Sequence, residues 1–440
     1  MAEAPLALFG GPRAVRPEAH VRWPVLGEEE RAAVLRVLER GVLSGPFAPE
    51  VRGLEAEWAT YLGSRHCLST NSGTSALHVA LAALGVGPGD EVIVPAFTFV
   101  ATALAVLHQG AVPVFVDIEP RFFGLDPARA EAAITPRTRA VIPVHIHGTP
   151  CDIDALSALC RRHGLALVED AAQAHGSTHR GRKVGTFGAA GCFSLQSSKN
   201  LPAGEGGLMV TDDEALFERA NRARMFGEDV RASDAEDYRI ERALDGNRAY
   251  DSLGMGWMYR TTELSAAVAR AQVEKLDAFN ANAQRNAALL SKRLGELPGV
   301  TPPIIGEGDA SCFHKYRVRL DGRAVGVNAP PRRVRDAVRA ALVAEGLEAV
   351  LWQTQPVPGQ GLFRNRSGFG GKGFPFDGAN VDYDLSQYPE TARLLDGSLC
   401  LFSHTCPIFP QPLELAEAYA DAFVRVWNRL EEVVAKAPAS

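Results

Sequence analysis

Much of what commonly places a protein in a functional class is missing from this chain of 440 residues. No apolar run approaches the roughly 18 residues that a helix needs to cross a bilayer, so no membrane span is expected. The formal net charge is −6 and no basic tract is interleaved with aromatics, which leaves no electrostatic case for nucleic acid. Met1–Arg16 lacks the charged-then-apolar order of a secretory signal. The seven cysteines are odd in number, scattered and without a CxxC pair. They argue against a disulfide framework and for buried thiols in a reducing cytoplasm. The nearest approach to a metal pattern, His145-Ile146-His147, reads as alternate side chains at a strand end, and no metal is expected. No G-x-G-x-x-G follows the first strand, which excludes a Rossmann dehydrogenase.

What is present is the balance of a soluble globular protein, 46% hydrophobic and 22% charged, in a chain long enough for two or three domains. Spacing and glycine punctuation predict helices over 27–40, 74–84, 101–109 and 155–163. Strands are expected over 92–94, 112–116, 140–144, 165–168, 189–193 and 207–210. These runs are continuously Val/Ile/Leu-rich rather than alternating, so they are buried on both faces. With helices between them, that predicts an α/β domain with a mostly parallel sheet.

Residues 226–255 read as a polar surface excursion, and 261–297 as a long helical stretch bridging to a second unit. That unit reads as smaller and α+β. It has an alternating strand over 316–320, a helix over 332–344 and a closing helix over 413–434. We expect a large domain over 20–275 and a small one over 276–440, with residues 1–20 packed near the active site. The glycine-rich stretch around 355–390 is either a lid with substrate contacts or a disordered surface insert.

Four pieces carry chemistry. Asn71-Ser72-Gly73-Thr74-Ser75 opens a helix, and its free N–H groups, glycine and hydroxyls form an anion site suited to phosphate. Pro95–Thr102 follows a strand and brings aromatics to the same mouth; Phe99 could stack on a planar ring, and Phe97 could be plain core. Val168-Glu169-Asp170 ends a buried strand, where a carboxylate is costly without a partner. Phe193-Ser194-Leu195-Gln196-Ser197-Ser198-Lys199 puts a lysine on a tight turn, where desolvation lowers its pKa and makes the amine a nucleophile.

An anion cradle, an aromatic plate, a strand-end aspartate and a buried lysine together describe pyridoxal 5′-phosphate. Gly73, Thr74 and Ser75, with Ser194 beside them, take the phosphate, and Phe99 takes the ring face. Asp170 keeps the pyridine nitrogen protonated, and Gln173 reaches the ring hydroxyl. Lys199 holds the cofactor and then acts as the base. Lys199 and Asp170 are the catalytic candidates.

The order NSGTSAL, PAFTFVAT, VEDAAQAHG, FSLQSSKNL and GEGG resembles the DegT/DnrJ/EryC1/StrS family of pyridoxal-phosphate sugar aminotransferases, from about Trp23 to Leu430. The resemblance implies the fold-type I aminotransferase architecture and a homodimer with shared active sites. It also implies glutamate or glutamine as donor and a keto-cyclitol or keto-sugar as acceptor. Two positions depart from the family pattern. Gln196 stands where histidine is common, as in the branch acting on keto-inositols. Met258 replaces the asparagine that normally reaches the neighbouring subunit's phosphate.

Two other readings of the chain are an eliminating or aromatising enzyme of the 3-amino-5-hydroxybenzoate synthase type and a non-catalytic regulator. Lys199, Asp170 and Gln173 together argue against the regulator. Arg260 could pair with a donor carboxylate, but its structural role at the start of the long helix is preferred. His175 and His404 either line the pocket or simply sit near it, and neither is named as catalytic.

Overall fold

The computed structural model describes residues 4–45, 48–229 and 251–438, so most of the expected excursion at 226–255 lies outside the described residues. The core is a seven-stranded sheet built from β1 (His66–Thr70), β2 (Glu91–Pro95), β3 (Val112–Val116), β4 (Thr138–Val141), β5 (Ala166–Asp170), β6 (Ala190–Ser194) and β7 (Gly207–Thr211). Its order is β1-β7-β6-β5-β4-β2-β3. β7 runs antiparallel to both neighbours, while the other pairings are parallel. The expected α/β class with a mostly parallel sheet is what the structure has. β2, β6 and β7 are buried at every position, which is why their sequences run apolar without alternation.

Helices α1 (Glu28–Arg40), α2 (Pro49–Leu62) and α3 (Gly73–Ala83) precede the parallel crossovers. α2 and β1 escape the sequence reading. The charged residues of α2 obscure the stripe of Val51, Leu54 and Trp58, which is buried, and β1 is short and half polar.

The long helical stretch is one uninterrupted helix of 33 residues, α4 (Glu263–Gly295). Its first half packs Ala266, Ala269 and Leu276 against Val51, Leu54 and Trp58. Its second half gives Ala283, Ala287, Leu290 and Leu294 to a second core. Glu263, fully buried at its start, accepts from Val51 N–H at 2.8 Å, Glu50 N–H at 3.1 Å and Arg40 Nη2 at 2.7 Å.

The second core surrounds an antiparallel sheet of β8 (Val300–Thr301), β9 (Tyr316–Leu320), β10 (Ala349–Val350) and β11 (Ser398–Leu401), in the order β8-β9-β11-β10. β9 does not alternate between buried and exposed as its sequence suggests; only Arg319 is partly exposed. Tyr316, Val318 and Leu320 face the small core, and Arg317 is buried against the large domain, its Nε donating to His147 Nε2 at 3.0 Å. The closing helix is two, Leu413–Asn428 and Leu430–Lys436.

Two segments depart from expectation. Residues 4–20 are anchored on the small core, not beside the active site. Leu6 and Val15 are buried there, and Glu345 accepts from the N–H groups of Ala7 and Ala14 at 2.9 and 3.2 Å. Residues 357–388 are neither a lid nor a disordered insert. Val357, Phe363, Phe376, Val381, Tyr383 and Tyr388 join the core of the large sheet. Phe363 packs edge-on to Phe115 of β3 at 4.9 Å, and Tyr383 OH donates to Pro113 O at 2.9 Å. Aromatics spaced among glycines read as loop in the sequence, yet they cover the outer strand.

Phe363→Ala should therefore destabilise the fold by about 3–5 kcal/mol, the usual cost of emptying a buried aromatic site. A clear drop in the calorimetric unfolding midpoint is the expected outcome; an unchanged midpoint would return the segment to a surface insert.

Candidate active site

The carboxyl ends of β5 and β6, the start of α3 and the loop after β2 converge on one cavity of about 470 Å³. This is where parallel sheets place their ligands. Gly73, Thr74, Phe99, Asp170, Gln173, Ser194 and Lys199 all line it. Ser75 does not. Its hydroxyl bonds Asn71 Oδ1 at 2.6 Å and Ser72 Oγ at 2.9 Å, so it shapes the turn beneath the cradle. Ser72 Oγ in turn caps α3 by accepting from Ser75 N–H at 3.1 Å. The N–H groups of Gly73 and Thr74, at the first two helical positions, have no acceptor within the helix. A Cβ at Gly73 would stand 2.7 Å from Ser194 Cβ, so only glycine lets the helix start come this close.

Asp170 is buried, and its donors are fixed. Oδ2 accepts from Thr102 Oγ1 at 2.7 Å and Oδ1 from Ala172 N–H at 3.1 Å. Thr102 and Thr98 share a 2.8 Å hydrogen bond. Because the Thr102 proton goes to the carboxylate, Thr98 donates to Thr102. Burial raises the Asp170 pKa, and the Thr102 and Ala172 hydrogen bonds and the Lys199 charge oppose the rise.

Lys199 follows β6 on a turn closed by its own N–H donating to Gln196 O at 2.8 Å. Trp23 Nε1 donates to the Lys199 carbonyl at 3.1 Å. Burial pushes the amine down to about 8, with Asp170 drawing it partly back. Gln173 Oε1 accepts from His147 N–H at 2.8 Å, which leaves its amide hydrogens for the cavity it lines.

This set fits pyridoxal phosphate. Among the described residues no cationic side chain lies within ion-pair distance of the Asp170 carboxylate, yet two donors hold it in place for a cationic ring nitrogen. The free N–H pair, with Ser194, suits a phosphate, and a desolvated lysine stands in the same cavity.

The sequence reading misses what the small domain brings. His314 and Trp352 line the cavity alongside His404, but they are remote in sequence and carry no local signal. His404 is pushed down to about 4, mainly by burial and then by Lys315 and Lys199. Thr102 stands in the segment singled out from the sequence, but its role depends on reaching Asp170. His175 does not line the cavity; it is buried between Trp58 and Phe193, and burial pushes it down to about 3. Arg260 lies outside the cavity, with Nη1 3.9 Å from Met225 Sδ. Met258 is 44% exposed, and its backbone bridges Met225. Phe97 is core, packed on His147 and Trp352.

Residues 24–376 match the family described as the DegT/DnrJ/EryC1/StrS aminotransferase family. The chain is 39% identical over 439 residues to the L-glutamine:scyllo-inosose aminotransferase of Streptomyces griseus, spanning 98% of this chain and 99% of that one. It is also 39% identical over 333 residues to the dTDP-3-amino-3,4,6-trideoxy-alpha-D-glucose transaminase of Streptomyces venezuelae, covering 76% and 79% of the two chains. The crystal structure of 3-amino-5-hydroxybenzoic acid synthase resembles this one with a TM-score of 0.78 at 32% identity, over 92% of this chain and 99% of its own.

The lowered Lys199 pKa fixes a pH dependence. Below about pH 8 the amine is protonated and cannot attack a carbonyl. Cofactor capture by the apoprotein, followed by absorbance and borohydride trapping, should therefore rise with pH and reach half its maximum near pH 8. A midpoint in the ordinary lysine range, about 10.4, would show that the amine is not desolvated.

Proposed function

The chain belongs to the DegT/DnrJ/EryC1/StrS aminotransferase family and is a pyridoxal-phosphate-dependent aminotransferase; from that premise we propose that it transfers an amino group from glutamine to the ketone of a cyclitol. The observation that carries this reading is the likeness to a glutamine-using inosose aminotransferase along almost the whole of both chains.

The residues divide the work as follows. The Gly73 and Thr74 N–H groups and Ser194 would hold the phosphate, Gln173 would donate to the ring oxygen, and Phe99 would lie against the ring. Asp170, oriented by Thr102 and Ala172, would stabilise positive charge at the ring nitrogen. When bound, pyridoxal phosphate supplies the sink for the electron pair left as the donor loses its Cα proton. Lys199 Nζ takes that proton, and its depressed pKa leaves a usable fraction of neutral amine near physiological pH. His404 and His314, held neutral by burial, line the cavity without adding charge.

We place the enzyme in the cytoplasm as a homodimer. The seven cysteines are free and buried, which suits a reducing compartment. Phe99 lines the cavity yet is 57% exposed, which fits a mouth that a second copy closes. We keep the division into large and small domains near residue 275, within α4.

An absorbance spectrum taken before and after glutamine, and then glutamate, tests this reading. A yellow holoenzyme should bleach with the donor and recover its colour when a keto-cyclitol is added. Asp170→Asn should slow the bleaching about a hundredfold or more, the scale of losing one preorganised electrostatic group. Colourless protein that takes up no cofactor, or trapping at a lysine other than Lys199, would sink the assignment. The likeness to the hydroxybenzoate synthase supports elimination as a second reading. Offering a keto-cyclitol and an amino-dehydroshikimate-type acceptor side by side separates the two.

A further inference from the structure

Beyond the groups assigned to the cofactor, the cavity wall carries an amide whose orientation is fixed. Gln196 and Ser198 both line the cavity. Gln196 Oε1 accepts from the Ser198 N–H at 2.9 Å and from the Ser198 hydroxyl at 2.6 Å. With both donors on the oxygen, the amide nitrogen is the end left free, and no protein acceptor meets it among the described residues. Gln196 therefore offers N–H donors without a competing acceptor. It stands three residues before Lys199 on the turn closed by the Lys199 N–H to Gln196 O bond, so donor and base belong to one rigid unit.

The charge of the wall narrows the ligand further. Asp170 and Lys199 are committed to the cofactor, Glu205 is the remaining charged group lining the cavity, and no arginine lines it among the described residues. A neutral donor amide with a carboxylate at the same cavity suits a hydroxylated, uncharged ring. Among the described residues it gives a pyrophosphate no cation to pair with.

We propose that Gln196 is a specificity-determining residue: its Nε2 donates to the hydroxyl oxygen on the carbon next to the acceptor's ketone, and Ser198 is the positioning residue that aims it. The ligand class is an uncharged polyhydroxylated ketone. This rests on the amination reading above and names the group within that site that selects the acceptor.

The test uses holoenzyme and reads the two half-reactions separately, with glutamine as donor and scyllo-inosose as acceptor. Gln196→Leu should lower the acceptor's kcat/KM by about ten- to a hundredfold, the range for leaving a substrate hydroxyl unpaired. Donor bleaching and cofactor retention should stay as in the wild type. Ser198→Ala should give a smaller loss of the same kind, and Ser198→Thr should restore activity because the hydroxyl returns. An analogue of the acceptor lacking the neighbouring hydroxyl should be used equally by wild type and Gln196→Leu, the non-additivity expected of a direct contact.

Equal losses in both half-reactions, or weakened cofactor retention, would assign the amide to the cofactor and overturn the proposal, as would no loss at all. Calorimetric binding of scyllo-inosose to the holoenzyme needs no turnover and keeps the two failures apart. If wild type binds it without aminating it, the amination reading fails. Binding that Gln196→Leu leaves unchanged overturns the role of Gln196.

Discussion

A buried carboxylate with two hydrogen-bond donors and, among the described residues, no cationic side chain within ion-pair distance is the constraint around which this molecule is arranged. Asp170 is held by the Thr102 hydroxyl and the Ala172 N–H, and burial alone would drive it toward the neutral acid. Lys199, in the same cavity, is driven by the same desolvation toward the neutral amine. Burial disfavours the charged state of each group, and the hydrogen bonds to Asp170 and the mutual attraction of the two oppose that shift. A cofactor with a cationic ring nitrogen and an aldehyde would suit both at once. Its binding therefore stabilises the folded chain by mass action as well as enabling the reaction.

The surrounding structure keeps that arrangement rigid. Next to Asp170, the carboxylate of Glu169 is wholly buried. It accepts from the N–H groups of Gly185, Phe187 and Gly188 at 2.7, 2.6 and 2.8 Å and pairs with His145 Nε2 at 3.0 Å. This network ties the end of β5 to the chain leading into β6, and so fixes Asp170 relative to the turn that carries Lys199. The missing Cβ at Gly73 lets the anion cradle approach the same strand end. Trp23 pins the lysine's own carbonyl. Precision at the reacting atoms is set by these backbone contacts, which few surface substitutions would disturb.

Lys199, Asp170, Gly73 and Gln173 were legible in the sequence because each sits at a strand end or helix start, where local punctuation marks its place. The parallel sheet was legible for a related reason: strands buried on both faces cannot alternate. Ser75 looked like part of the cradle because spacing gives a hydroxyl but not its direction, and here it turns inward to Asn71. Trp352 and His314 could not be found, since their approach to the cavity depends on how β9 and the loop after β10 dock on the large sheet. Composition misled over 357–388, where glycine density suggested a loose loop while Phe363, Phe376 and Tyr383 supplied a buried face. Along β9 the alternation failed because Arg317, polar by composition, is enclosed against the large domain, where it meets His147.

The covering of β3 also bears on how the chain is made. β3 is the outer strand of the large sheet, and an open strand edge invites pairing with other chains. The residues that seal it lie more than two hundred positions later. At ordinary elongation rates the nascent large domain therefore waits on the order of tens of seconds with that edge bare. Its parallel strands, which depend on distant contacts, are slow to form over the same interval. The hazard belongs to synthesis and disappears in the finished protein. Escape from aggregation thus depends on how fast the C-terminal half emerges as well as on the stability of the completed fold.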